Sequence, residues 1–423
     1  MADRLLGAAR NVKKNFSAGT NRTRDLRIST GSIQLDVALG GGLPVGRNTL
    51  FWGEKSGGKS TSALRAVAAN QNLCRRCLRQ AKNVEAVPPT KEVLEEDPDA
   101  RWSSVGKCNC VSEGLVNPSP PPKEKDEKPK EYKDRILEWR EDINKNSYEE
   151  FICAWADPED AYDVTWAEQI GIDDRRLYFV RPETGQDAVD IIVILIESGA
   201  VDLLVVDSFA HFTPVEEIKE GMDKWQQGLQ ARIINKGLRM WTSLNCRNKN
   251  RDRTAHGVTS IWTNQVRMKI GVMFGSPETK PGGRGQDFVI HSEIKFLTSK
   301  VEVVTEKYGG EKEQNVFPIK ETIHYKVTKN RTAATKWVEG YFDQTMRATE
   351  AVPAGTIIED GWIFKNAIKY LVIDHKKATK EGRYEIAGER FTSQAALKAA
   401  ITGDGELPQV VRAALMKELA GAR

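Results

Sequence analysis

The chain has 423 residues, 39% of them hydrophobic and 29% charged, with a formal net charge of +4. That length exceeds one comfortable core, so one large domain with one or two small ones is expected; no apolar run approaches the roughly 20 residues that cross a bilayer, which excludes a helical membrane protein and gives no membrane partner. The opening Met1-Ala2-Asp3-Arg4-Leu5-Leu6 lacks the apolar stretch of a secretory signal, so a cytoplasmic, reducing location is expected and the six cysteines are not read as a disulfide framework.

Residues 1–30 are polar and basic, with Leu5, Leu6, Val12 and Phe16 as sparse apolar anchors. They read as a short oligomerisation helix that buries its apolar face on a neighbouring subunit, or as a loose terminus. Thr30-Gly31-Ser32 precedes Ile33–Leu39, and Gly40-Gly41-Gly42-Leu43-Pro44 is a turn. Next, between the apolar Leu50-Phe51-Trp52 and a helix-like segment, comes Gly53-Glu54-Lys55-Ser56-Gly57-Gly58-Lys59-Ser60 and then Thr61. Strand, glycine loop and helix are the context in which backbone amides cradle a triphosphate, with Lys59 on the β- and γ-phosphates and the Ser60 hydroxyl on Mg²⁺. An ATP site is expected here.

Cys74-Arg75-Arg76-Cys77 is followed after thirty residues by Cys108-Asn109-Cys110. Two close thiol pairs suit a structural Cys₄ zinc site, although the second pair has one intervening residue where two are usual. Residues 117–131 are rich in Pro and charge and are expected to be flexible, and 71–148 is bracketed as an insertion into the ATPase domain. The core resumes at Phe151–Trp155, a buried-strand pattern ending in Asp157-Pro158-Glu159-Asp160. A second strand, Leu177–Val180, leads to a helix over 186–198, and Val201–Val206 is a buried strand ending in Asp207, a Walker B pattern suited to Mg²⁺. Alternating βα elements imply an α/β fold with a mainly parallel sheet covered on both faces.

From Ala231 to Lys295 there are twelve Lys or Arg against four Asp or Glu, a stripe suited to a phosphate backbone. Arg232, Asn235 and Arg239 share one face of a helix expected over 228–244. Arg267, Lys269 and Phe274 lie in a loop bracketed by Gly271, Gly275, Gly282, Gly283 and Gly285, where Phe274 can stack on a base. The run Arg247–Arg253 reads as an exposed turn or an extra DNA contact, the turn being favoured. Past Tyr341, Gly361–Phe364, Ala367–Ile373 and helical patterns over 392–400 and 408–419 make a small α/β C-terminal domain.

Met268-Lys269-Ile270-Gly271-Val272-Met273-Phe274-Gly275, within Thr263–Gly283, resembles the second DNA-binding loop of RecA-family recombinases. Ile28–Ser32 with Leu35-Asp36, Gly42-Leu43-Pro44 with Gly46-Arg47, the glycine loop, the Walker B strand, and Lys329-Asn330-Arg331 with Ala333-Ala334 follow the same family pattern, over roughly 25–70 and 149–345. The resemblance implies a RecA-like P-loop core at 31–345, interrupted by 71–148, with an N-terminal segment at 1–30 and a C-terminal domain at 346–423. It implies that Glu159 activates the attacking water, that Gln265 senses the γ-phosphate, that Trp166 stacks on adenine, and that Lys329 and Arg331 reach a neighbouring subunit's ATP. Gly282 and Gly283 belong to the implied DNA loop. The implied function is an ATP-dependent recombinase that forms a helical filament on single-stranded DNA and pairs it with homologous duplex, with loader and single-strand-binding proteins as partners. The insertion and the looser acidic motif around Glu159 resemble divergent phage recombinases, which implies bacterial or infected-host cytoplasm. A RadA-like branch-migration ATPase and an ATP-regulated DNA-coating scaffold are the alternatives.

Overall fold

The computed structural model describes residues 26–116, 120–124, 127–220, 228–251, 256–268, 277–307, 314–333, 338–349, 352–369, 384–386, 389–401 and 406–420. The expected N-terminal segment up to residue 25, Lys269, Phe274 and the basic His375–Lys377 lie outside them.

Among the described residues, the fold is organised on one ten-stranded sheet. Its strands are β1 (Asn48–Gly53), β2 (Cys153–Ala156), β3 (Leu177–Val180), β4 (Leu203–Val206), β5 (Thr259–Gln265), β6 (Ser292–Phe296), β7 (Lys300–Lys307), β8 (Gln314–Asn330), β9 (Glu339–Thr345) and β10 (Ile357–Ile358). Across the sheet they run β10-β9-β8-β6-β1-β5-β4-β2-β3, with β7 pairing on β8. From β6 to β3 every pairing is parallel, and from β8 to β10 every pairing is antiparallel. Parallel strands need covered faces, and the period-two alternation of their side chains supplies both.

Among the described residues, the helices longer than six residues are α1 (Ile33–Leu39), α2 (Lys59–Asn70), α3 (Pro129–Lys145), α4 (Val164–Ile170), α5 (Gly185–Ser198), α6 (Leu229–Arg251), α7 (Asp360–Lys369), α8 (Gln394–Ala400) and α9 (Glu406–Ala420). One face of the sheet, through Phe51, Trp155, Val205 and Ile261, packs on α2 and α4 by Ala63, Ala66, Val67 and Ala167. The other, through Leu50, Ala154, Leu204 and Trp262, packs on α5 and α6 by Val189, Ile192, Leu238 and Trp241. The α5–α6 contact is close: a Cβ on Gly237, inside α6, would lie 2.9 Å from Val189 Cγ2. A third core joins Ile33 of α1 to α7, α8 and α9. Glu359 fastens that junction from just ahead of α7, accepting from Ser32 Oγ at 2.5 Å and from the amides of Ile33 and Gln34 at 2.9 and 3.0 Å.

Two expectations need correction. The basic run expected to turn at Arg247 instead stays helical, since α6 extends to Arg251; no Gly or Pro interrupts 238–251, so nothing in the backbone stops the helix. The stretch expected to be flexible through Glu131 becomes helical at Pro129. Proline is pre-organised at a first helical position, and Arg135, in the second turn, pairs with Glu127 at 2.7 Å.

Candidate nucleotide and nucleic-acid site

Parallel strands put their carboxyl ends on one rim, where α/β sheets bind ligands. Register aligns Gly53 of β1 with Phe296 of β6 on one side and Gln265 of β5 on the other, while Val206 of β4 aligns with Trp262 and with Ala156. The glycine loop, Gln265, Asp207 and the Asp157–Asp160 turn therefore share that rim.

The loop lies flush on the sheet. A Cβ at Gly53, whose φ is 144°, would meet Phe296 O at 1.9 Å; at Gly57 it would meet Leu297 O at 2.8 Å, and at Gly58 Ile323 Cδ1 at 2.7 Å. Gly58 caps α2 with no side-chain acceptor, and the first turn carries no acid. The α2 amides are thus left for an anion, which is the fit a triphosphate requires. Lys59 Nζ donates to the Glu54 carbonyl, and burial lowers its proton affinity against the pull of Asp207, Glu159 and Glu54. Asp207 is buried and its carboxyl is raised by that burial, opposed by hydrogen bonds from Ser60 and Thr263. A carboxylate and a hydroxyl so placed are a Mg²⁺ donor set.

Asp157 shapes the acidic turn. Its carboxylate accepts from the amides of Glu159 at 3.2 Å, Ala161 at 2.9 Å and Tyr162 at 2.9 Å. Glu159 Oε2 in turn accepts from Ser208 Oγ at 2.9 Å and lies 3.1 Å from His211 Nδ1. Trp166 is half-buried in α4 against the first core, beside the elements that hold α2.

Behind Gln265, the Val266 amide bonds Gly53 O at 2.9 Å, so the nucleotide loop and the start of the basic loop are joined. Arg267 pairs with Thr279 across that loop. Asn264 and Gln286 brace its return: Asn264 Nδ2 donates to Pro281 O at 3.0 Å and Gln286 Nε2 to Gly283 O at 3.0 Å. Arg232 and Arg239 are exposed on α6, whereas Asn235 Nδ2 donates to Gly282 O at 3.2 Å and so holds the glycine pair.

Lys329 and Arg331 sit toward the other rim. Lys329 is opposite Glu293, which aligns with Leu50, three residues or about 10 Å of strand before Gly53. Arg331 Nη1 donates to Phe288 O at 2.8 Å, and Lys329 Nζ lies 3.6 Å from Glu293 Oε1. Phe288 is 74% exposed.

In the 71–148 segment, the Sγ atoms of Cys74, Cys77, Cys108 and Cys110 lie within 4.8 Å of one another. A tetrahedral zinc with bonds of about 2.3 Å needs sulfurs about 3.8 Å apart, and Cys77 and Cys108 are at 3.6 Å. Hydrogen bonds from the Cys77 thiol and from backbone amides push the Cys74 thiol well down, toward the thiolate a metal takes.

Sequence reading missed Asp157 as the organiser, Ser208 and His211 on Glu159, and Asn264 and Gln286 behind the loop. Only the Asp-Pro-Glu-Asp string hinted at the first; the others are contacts across distant parts of the chain.

A glycine loop feeding a helix, with the strand-end Asp207 two strands away and β5 between, defines a RecA-like P-loop NTPase. The RecA N-terminal domain model matches residues 12–81 and 141–340, and the chain belongs to the RecA family. It is 33% identical over 308 residues to Protein RecA of Cutibacterium acnes and to that of its strain DSM 16379 / KPA171202, covering 72% of this chain and 61% of each relative. The chain thus spans under two thirds of the length of these relatives. The family match breaks over 82–140, inside the cysteine-bearing segment. Among the described residues, no helix is long and apolar enough to cross a membrane.

Proposed function

We propose that this protein is an ATP-dependent recombinase that polymerises on single-stranded DNA and exchanges homologous strands in the cytoplasm, assisted by loader and single-strand-binding proteins. The observation that carries the reading is the bond from the Val266 amide to Gly53 O, beside the Gly53–Gln265 register. It makes the γ-phosphate position and the basic loop one mechanical unit.

In this reading the amides of Gly53–Thr61 and Lys59 hold the phosphates, Trp166 stacks on the base, and Ser60 and Asp207 hold Mg²⁺, which supplies charge neutralisation when bound. Glu159 takes a proton from water as the water oxygen bonds to the terminal phosphorus and the bridging oxygen leaves on ADP with its electron pair. Gln265 reports the γ-phosphate to the loop of Arg267, Lys269, Phe274, Gly282 and Gly283, while Arg232, Asn235 and Arg239 line the DNA path. Lys329 and Arg331, displaced from their own glycine loop, serve a neighbouring subunit's ATP, with the exposed Phe288 beside them in the same contact. The domain boundaries follow the same reading: a core at 31–345 with an insertion at 71–148, flanked by 1–30 and 346–423. The four cysteines hold one structural zinc.

The test is joint-molecule formation between single-stranded DNA and homologous duplex with ATP, wild type against Lys59→Ala. Homology-dependent pairing by wild type alone is the expected result. DNA-stimulated hydrolysis without pairing would replace the recombinase with a branch-migration motor, and DNA coating that survives Glu159→Gln would point to a scaffold.

A further inference from the structure

Glu159, Ser208 and His211 close a triangle on the nucleotide rim. Ser208 Oγ lies 2.9 Å from Glu159 Oε2, and His211 Nδ1 lies 3.1 Å from that same oxygen and 3.1 Å from Ser208 Oγ. The bonds satisfy each other in one arrangement: the Ser208 hydroxyl donates to Glu159, and an Nδ1–H of His211 is shared between Oε2 and Oγ. Both contacts fall on one carboxylate oxygen, so Oε1 remains to accept from water. The His211 and Glu159 side chains are 39% and 31% exposed, so water reaches the pair.

The backbone that carries the imidazole is held at two points. It ends the short turn Phe209–His211, whose His211 amide bonds Ser208 O at 3.1 Å. Gln230, in the first turn of α6, donates through Nε2 to Ala210 O at 2.8 Å. The other charged groups around Glu159 have fixed roles. Asp157 is spent on three backbone amides, Asp207 on Ser60 and Thr263, and Lys59 on the Glu54 carbonyl.

We propose that His211 is a positioning residue for ATP hydrolysis: with Ser208 it holds Glu159 through Oε2 and leaves Oε1 to take a proton from water. The inference rests on Glu159 being the water-activating group. A carboxylate fixed through Oε2 presents Oε1 in one orientation, so the proton is taken without a search among rotamers.

The experiment is steady-state ATP turnover on oligo-dT for wild type, His211→Asn, His211→Ala and Glu159→Gln. His211→Ala lowers kcat about fivefold, the worth of one hydrogen bond, with KM for ATP unchanged. His211→Asn, which keeps a donor near the Nδ1 position, restores most of that rate. Wild-type kcat in His211→Ala, or a His211→Asn variant as slow as His211→Ala, overturns the inference alone, provided Glu159→Gln is inactive. Full turnover by Glu159→Gln overturns the underlying role of Glu159 as well.

Discussion

The nucleotide rim and the cysteine segment are built by opposite means. On the rim, strand register places Gly53, Gln265, Asp207 and Glu159 together, and buried cores on both faces of the sheet hold those strands whatever the rim side chains are. In the segment from Cys74 to Glu150, the two-stranded hairpin of Lys82–Val87 and Ser103–Lys107 is largely exposed, and α3 buries only Ile143. The segment is held at separate points: four thiols, the Arg101–Glu150 pair at 2.5 Å, Arg101 Nε on Arg176 O at 2.7 Å, the Trp102 amide on Arg175 O at 2.8 Å, Arg176 on Ser104 Oγ at 3.2 Å, and Arg75, which reaches Asp202 at 2.9 Å. A site carried by a sheet can lose a side chain and keep its shape, whereas a segment held at points loses its shape with them.

The largest expected effect is removal of those points. Chelation, or Cys74→Ser with Cys77→Ser, takes zinc from about one per chain to none, with binding energies of order 10 kcal/mol at stake in small zinc modules. Amide hydrogen exchange should then accelerate across 103–111 and 147–150 and stay slow in β1 and β5. Metal-free protein with unchanged exchange would mean the segment stands without its staple. Next comes Lys59→Ala. Loss of one preorganised phosphate contact lowers turnover roughly 10²–10³-fold, and the thermal midpoint should stay within a few degrees of wild type. A variant that unfolds would break the contrast from the other side, because the rim would then be structural too.

The difference also explains what could be read from sequence. The glycine loop, Asp207 and Glu159 were legible because each sits in a local string whose strand context is visible around it. Ser208 meets Glu159 across 49 positions, and Asn264 meets Gln286 across 22, and no local pattern announces either bond. The thiol pairs were legible by spacing. The register joining Cys74 to Glu150 and the start of α3 at Pro129 were not, since charge and proline density conceals a helix stabilised by the Glu127–Arg135 pair. The Gly53–Gln265 alignment was legible only as order of elements; that β5 lies between β1 and β4 is a fact of topology.

The smallest effect is at the seam between the two regions. Arg75 binds Asp202 through Nε at 2.9 Å, Gly199 O through Nη2 at 2.5 Å, and the edge of Glu149 at 3.7 Å. Asp202 also accepts from the Ile152 amide at 2.9 Å, which ties the seam to the start of β2. Burial nevertheless pushes the Asp202 carboxyl up to about 7, over the opposing pull of Arg75: the guanidinium is shared among three acceptors, and the acid is desolvated by the core. An acid raised on folding binds more protons in the native state than in the unfolded one. Its stabilising contribution is therefore complete below the ordinary value of 3.8 and is lost as pH rises to about 7. Asp202→Asn keeps an acceptor for Ile152 and removes the titration, so its melting temperature relative to wild type should climb steadily across that window. Arg75→Ala leaves Asp202 with its amide partner alone, costs about 1–3 kcal/mol, and moves the loss to higher pH. Parallel pH–stability curves for wild type and Asp202→Asn would show that this carboxyl is solvated at the seam, and that the cysteine segment rests on the core less tightly than the Arg75 contacts imply.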